Sequence, residues 1–400
     1  MRYLTLYLLL FLNSDILYAQ TYAIKADRLI SGDNDILNPT VIVYKDKIVD
    51  INYNSQIPDS AQVIDLKGYT ILPGMMDVHT HLLYDGGGDY EKDLYRNSPA
   101  FRAVRATTYL EISLKNGFTT LRDVCTEGAG FADVDLQKAL DMDLIQGPRI
   151  LPSTKGIATK GQYYPSPKYQ NWEIDLPSGT QYVTGETQCR EAVRDQISHG
   201  AKWIKVFVDW SAVSFTYEEL SIIVEEAKRF NVRIAAHATT KAGIDLAIKC
   251  GVASIEHGDA FDDDLIQKAI TRHVFWSPTI SVFEHFKTDL TMMYENLNKA
   301  NKKGLKVVVG TDIGSFPWTK NQAKELEYYV KKADFKPLDA IKSATLYPAE
   351  LLGFEKSLGR IEKFFIADII AVKGNPLADI TLLQKVEFVM KAGKIYKKPF

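Results

Sequence analysis

Eight short apolar runs of strand length alternate with amphipathic stretches of helical period through the middle of this chain. The runs fall at 71–76, 118–124, 149–153, 203–208, 232–236, 252–255, 274–277 and 307–309, with helical stretches such as 187–199, 216–230, 241–249 and 263–272 between them. Strands alternating with helices over about 280 residues predict a (β/α)8 TIM barrel. The two ends have a different texture. Runs at 22–26, 40–44, 47–51 and 63–66, and again at 367–372, 386–390 and 394–397, are strand-like. Turn-formers such as Gly32-Asp33-Asn34 and Gly374-Asn375-Pro376 break them. Together the ends predict a small β-sandwich domain built from 20–72 and 355–400, with the barrel occupying 73–354.

In such a barrel the reactive residues stand where strands end. The first run leads into Asp77-Val78-His79-Thr80-His81. Alternate strand residues share a face, so His79 and His81 offer two imidazoles side by side, and imidazole is a ligand for zinc, iron, nickel and copper. Alone, the pair reads equally well as polar alternation on an exposed strand. The fifth run ends at His237, the sixth at His257, and the eighth at Asp312 in Gly310-Thr311-Asp312. Lys205 lies inside the fourth run, where an unpaired amine is costly to bury. Four of the seven histidines therefore stand at strand ends. His199, His273 and His285 do not, and read as structural or solvent-exposed.

A formal net charge of −2 with dispersed lysines gives no general electrostatic reason to bind nucleic acid or an anionic membrane. Met1-Arg2, the apolar run 3–12 and the small residue Ala19 before Gln20 have the layout of a signal peptide over 1–19, so an exported protein, periplasmic or secreted, is expected. Asn13, Ser14 and Asp15 interrupt the run well short of the roughly 20 apolar residues that a membrane span needs. No stable membrane anchor is expected. Cys125, Cys189 and Cys250 are widely spaced and odd in number, and are expected as free thiols. A homo-oligomer stays open.

The strand-end set resembles the amidohydrolase superfamily, on the motifs Pro73 to His81, Gly117-Phe118-Thr119-Thr120-Leu121-Arg122-Asp123, Ile204-Lys205-Val206, Ala236-His237-Ala238, Ile255-Glu256-His257-Gly258 and Gly310-Thr311-Asp312. Within it the chain is most similar to the imidazolonepropionase-related group that includes Xaa-Pro dipeptidase-type enzymes, and the ending Leu358-Gly359-Arg360-Ile361 with Ala367-Asp368-Ile369 matches that group too. The resemblance implies two divalent metals, zinc first with manganese or iron as alternatives. His79, His81 and Asp312 would hold one and His237 and His257 the other, bridged by Lys205 as N6-carboxylysine. It also implies hydrolysis of a small amide, a dipeptide or an N-acyl amino acid, by a metal-activated water, with Asp312 carrying the proton. A mononuclear site using His79, His81, His237 and Asp312, with cyclic-amide opening as its reaction, is the alternative. A non-catalytic binding protein on the same fold is a third reading, set against the presence of every expected ligand type.

Substrate contacts are less constrained. Related sequences carry a histidine in a Gly-Gly-His setting after the third strand, and here the loop reads Ala158-Thr159-Lys160-Gly161-Gln162-Tyr163-Tyr164. Gln162 or Tyr163, both hydrogen-bond donors, are candidates to replace it. Arg122, Trp210 and Trp318 are further pocket candidates; Arg122 reads equally as a bidentate clamp for a substrate carboxylate or as a barrel arginine paired with Asp123 or Glu127. Gly86-Gly87-Gly88 gives the loop after His81 the freedom that a lid requires.

Overall fold

The computed structural model describes residues 20–52, 57–86, 90–160, 178–210 and 213–399. The expected signal segment lies outside them. Alternating apolar and β-branched residues put the N-terminal part into five strands: β1 (Thr21–Ser31), β2 (Asn34–Leu37), β3 (Thr40–Tyr44), β4 (Lys47–Asn52) and β5 (Gln62–Pro73). The C-terminal part adds β15 (Ile369–Lys373), β16 (Val386–Lys391) and β17 (Lys394–Lys397). All eight join one sheet in the order β17-β16-β15-β5-β1-β3-β4, with β2 on β1. β5 is its middle strand, parallel to β1 and antiparallel to β15, with Ile369 opposite Pro73. Ile24, Val41, Leu66, Ile71, Ile369 and Phe388 belong to one buried cluster, so each end of the chain needs the other to cover its apolar face.

The run expected as one strand at 71–76 is two. β5 stops at Pro73 in the terminal sheet, and β6 (Met75–Thr80) begins another sheet. Gly74 stands at the break, in a position only glycine fits, because a Cβ there would lie 2.2 Å from Thr119 Oγ1. β6, β7 (Phe118–Asp123) and β8 (Arg149–Pro152) are parallel neighbours. A six-stranded parallel sheet follows from β9 (Gly156–Thr159), β10 (Thr180–Val183), β11 (Trp203–Phe207), β12 (Arg233–Ala238), β13 (Ser254–His257) and β14 (Phe275–Ser277), in the order β10-β9-β11-β12-β13-β14. Backbone bonds continue from Val308 N to Trp276 O and from Val78 N to Val309 O, each 2.9 Å, and so return from β14 to β6. In the last run Val307 makes a single bridge to Trp276, and Ile313, just past Asp312 (φ 60), makes another to Thr80.

Two strands were not foreseen. β9 overlaps the start of the segment read as a loop at 158–164, and β10 lies beyond it. Each is four residues long and too short for a periodic signal. The helices carry ordinary stop and start signals. Thr216 and Glu219 make a reciprocal capping box on Tyr217–Arg229, and Gly251 (φ 88) ends Lys241–Cys250 in the left-handed conformation. No helix among the described residues is long and apolar enough to cross a membrane. Cys125, Cys189 and Cys250 are free thiols.

Candidate metal centre

Every residue of β6 is buried, and its last turn is fixed from below by Asp77. That carboxylate accepts bonds from His79 N (3.1 Å), Thr311 N (3.0 Å), Thr311 Oγ1 (2.6 Å) and Gln322 Nε2 (2.7 Å). It thereby ties the first histidine pair to the segment that carries Asp312. The approach is close enough to require Gly310, where a Cβ would meet Ser277 Oγ at 2.1 Å and His79 Cβ at 2.7 Å.

Each of three histidines turns one ring nitrogen away to a partner and leaves the other for the site. His79 Nδ1 lies 2.8 Å from Glu256 Oε2. His81 Nδ1 lies 3.2 Å from Cys125 O and 3.3 Å from Glu127 Oε1. His257 Nδ1 lies 2.8 Å from Thr279 Oγ1. His81 Nε2 then comes to 3.3 Å and His79 Nε2 to 3.8 Å from Asp312 Oδ1. Ligand atoms of His79, His257 and Asp312 all fall within 4.8 Å of one another. The His237 ring stands 4.6 Å from that of His257, and its Nε2 is buried with no hydrogen-bond partner among the described residues. A polar atom orphaned in this way needs an occupant. Lys205 lines the same cavity, buried, with the Phe207 ring 5.2 Å from its Nζ.

Protonation states agree with a cation site. Burial, with the Lys205 amine next, holds His79 well below its usual value. Burial does the same to His237 and brings His257 to about 4. Neutral imidazole is the ligating form. Burial also lowers Lys205. For Asp312 burial alone would raise the carboxyl, yet His79, His81 and His257 overrule it and keep it well below the usual range. His81 is the exception. Burial pulls it down, but Asp312 and Glu127 outweigh that and raise it to about 9, so a positive charge is drawn to the place a metal would fill. Imidazole and carboxylate donors of this kind fit a divalent metal such as zinc, manganese or iron.

The four histidines, Lys205 and Asp312 all line one cavity of about 500 Å³. Trp210 lines it too, 44% exposed, with its ring 4.3 Å from His237. Two other candidates are corrected. Arg122 is fully buried below the pocket, donating to Val78 O (2.6 Å), Ser254 Oγ (3.1 Å) and Glu256 Oε1 (2.6 Å), with Trp203 under its guanidinium. It cannot clamp a substrate, because Glu256 already holds it. Trp318 is buried and stacked on Tyr109, its Nε1 donating to Tyr84 O, so it packs behind the pocket wall. Gln162 and Tyr163 lie outside the described residues. So do Gly87 and Gly88, while Gly86 is packed so tightly that a Cβ would meet the Ser315 backbone at 2.2 Å.

The sequence assigns no role to Glu256, Asp77 or Thr279, although the first two sit inside the quoted motifs, and Glu127, read as an alternative partner of Arg122, instead faces His81 Nδ1 at 3.3 Å. The signal for Glu256 was a buried acid beside His257, without any cation near it in sequence.

The chain belongs to the amidohydrolase family, whose profile matches residues 70–396. It is 30% identical to the ochratoxinase of Aspergillus niger, over 95% of this chain and 88% of that one. It is 23% identical to the imidazolonepropionase of Thermoplasma acidophilum, over 88% of this chain and 87% of that one. Among solved structures, a Xaa-Pro dipeptidase with methionine bound in its active site superposes with a TM-score of 0.84 at 31% identity, covering 94% of this chain and 100% of the other. The protein is thus a hydrolase of carbon–nitrogen bonds in small substrates, of a family that depends on divalent metal.

Proposed function

We propose that this protein hydrolyses the amide bond of a dipeptide or N-acyl amino acid at a binuclear metal centre held by His79, His81, Lys205, His237, His257 and Asp312. The observation that carries this is the convergence of His79, His257 and Asp312 ligand atoms within 4.8 Å, beside an orphaned His237 Nε2, at the floor of a substrate-sized cavity. When bound, divalent metal, zinc in the first instance, polarises the scissile carbonyl and lowers the pKa of the attacking water. Ser315 Oγ donates to Asp312 Oδ1 at 2.7 Å and His81 faces the same oxygen, which leaves Oδ2 to take the proton from water and pass it to the leaving amine. Glu256, Glu127 and Thr279 hold the imidazoles in the orientation this requires. Lys205 is read as carboxylated. Its burial favours the neutral amine that reacts with carbon dioxide, and an ammonium could not ligate a cation.

The parallel strands and the backbone bonds that return to β6 support reading 73–354 as a (β/α)8 barrel. The sheet shared by both ends supports a β-sandwich domain from 20–72 and 355–400. The N-terminal segment supports export, and mass spectrometry of the mature protein is expected to find a chain that begins at Gln20. Retention of 1–19 in the mature protein would overturn this.

Elemental analysis of the purified protein, with a panel of dipeptides and N-acyl amino acids, tests the function. We expect two metals per chain, hydrolysis within the panel, and a loss of about 10²-fold or more in Lys205→Ala, above the 10–100-fold typical of residues that only support a ligand. One metal per chain with activity surviving the substitution returns the mononuclear reading. Metal-loaded protein that hydrolyses nothing in the panel returns the binding-protein reading.

A further inference from the structure

The cavity above the metal centre has an acid that the hydrolytic machinery does not use. His257 (φ 67) and Gly258 (φ 69) are consecutive left-handed residues that swing the chain over the end of β12. Three backbone bonds pin the turn: Gly258 N to Ala238 O (3.2 Å), Ala260 N to Thr239 O (3.1 Å) and Phe261 N to Gly258 O (3.0 Å). Gly258 is required there, because a Cβ would lie 2.6 Å from both Phe261 and Trp276 side-chain atoms. The turn therefore presents Asp259 to the cavity in a fixed position.

The ordinary uses of an aspartate in such a turn are taken by a neighbour. Asp262 caps the helix Asp263–Thr271 through Leu265 N and pairs with Lys241 at 2.7 Å. Asp259 makes no ion pair among the described residues. The charged group that acts on it is another acid, Asp209, which is engaged by Thr239 and Thr240 through four hydrogen bonds. Apart from Lys205 at the floor, no lysine or arginine among the described residues lines the cavity. Aromatic rings line the same cavity as Asp259: Trp210, 44% exposed, Phe286, 63% exposed, and Phe283. A carboxylate without an ion-pair partner among the described residues, in a cavity also lined by exposed aromatic rings, can receive an ammonium group by charge-assisted hydrogen bonding and cation–π attraction.

We propose that Asp259 is a specificity residue that receives a cationic amine of the substrate, so that amine-bearing amides are preferred over neutral ones of the same size. This rests on the amide-hydrolase reading above. The amine could belong to a substrate side chain or be a free α-ammonium, and the test separates the two.

Isothermal calorimetry on the metal-loaded holoenzyme compares two pairs of probes that contain no amide to hydrolyse. Lysine and norleucine differ by a side-chain amine, and leucine and isocaproate differ by the α-ammonium. The carboxylate is common to both members of each pair and cancels. We expect the amine to be favoured by about tenfold in at least one pair, consistent with one charge-assisted bond. Asp259→Asn is expected to erase that preference and Asp259→Lys to reverse it, and the responding pair identifies the source of the amine. If neither pair has a preference that Asp259→Asn removes, the proposal is overturned. Binding is read here without turnover, so an absence of hydrolysis in the substrate panel counts against the amide reading alone.

Discussion

Asp312→Asn is expected to lower kcat/KM by about 10²–10⁴ while the protein stays folded. The amide matches the carboxylate in shape and can keep the contact with Ser315 Oγ, so the segment after Gly310 has no steric reason to move. What it loses is the negative charge that His79, His81 and His257 stabilise, and the oxygen proposed to accept the proton. Asparagine cannot take up that proton, and it is a poorer ligand for a hard cation than carboxylate. The measurement is steady-state kinetics with metal content and melting temperature read on the same samples. A variant that keeps its metal and its melting temperature but loses turnover isolates the proton role. Activity within a few-fold of the wild type would remove Asp312 from the reaction.

Arg122→Met should have the largest effect on stability, about 3–5 kcal/mol, the range for breaking a buried ion pair by removing one partner. Arg122 and Glu256 are both completely buried and meet at 2.6 Å, and Ser254 Oγ bonds to both. Methionine would fill much of the space over Trp203 and leave the Glu256 carboxylate without its counter-charge, 2.8 Å from His79. At a few degrees per kcal/mol for a domain of this size, the melting temperature should fall by on the order of 10 °C. Replacing the acid as well, in Arg122→Met with Glu256→Leu, should recover part of the loss, because no charge is then left alone. Calorimetric melting of the three proteins checks this. A single variant less than about 1 kcal/mol below wild type would mean that the pair is not the main counter-charge for Glu256.

The gathering of His79, His81, Lys205, His237, His257 and Asp312 around one cavity was legible because they stand at or near the ends of apolar runs, which can be located from the sequence alone. Roles that depend on leaving the strand were not. Period-two alternation would send Glu256 and His257 to opposite faces. His257 is left-handed, however, so the rule stops at Glu256, and both side chains reach the His79 side of the site. Asp312 escapes the pleat in the same way. Arg122 misled for a different reason. An arginine near a strand end resembles a substrate clamp until its partner is known, and that partner lies 134 residues away in sequence. Trp318 follows Asp312 closely in the chain but turns its ring onto the outer helix Pro99–Lys115. β9 and β10 were too short to register, although they edge the six-stranded sheet.

The break at Gly74 has a mechanical side. β5 is gripped on both edges by strands drawn from opposite ends of the chain, and one residue later the same backbone becomes the strand that carries His79 and leads directly into His81. No flexible linker separates the two sheets at this point. The first histidine pair is therefore clamped at its root by a sheet drawn from both chain ends, and the termini act as the vise in which the end of β6 is held.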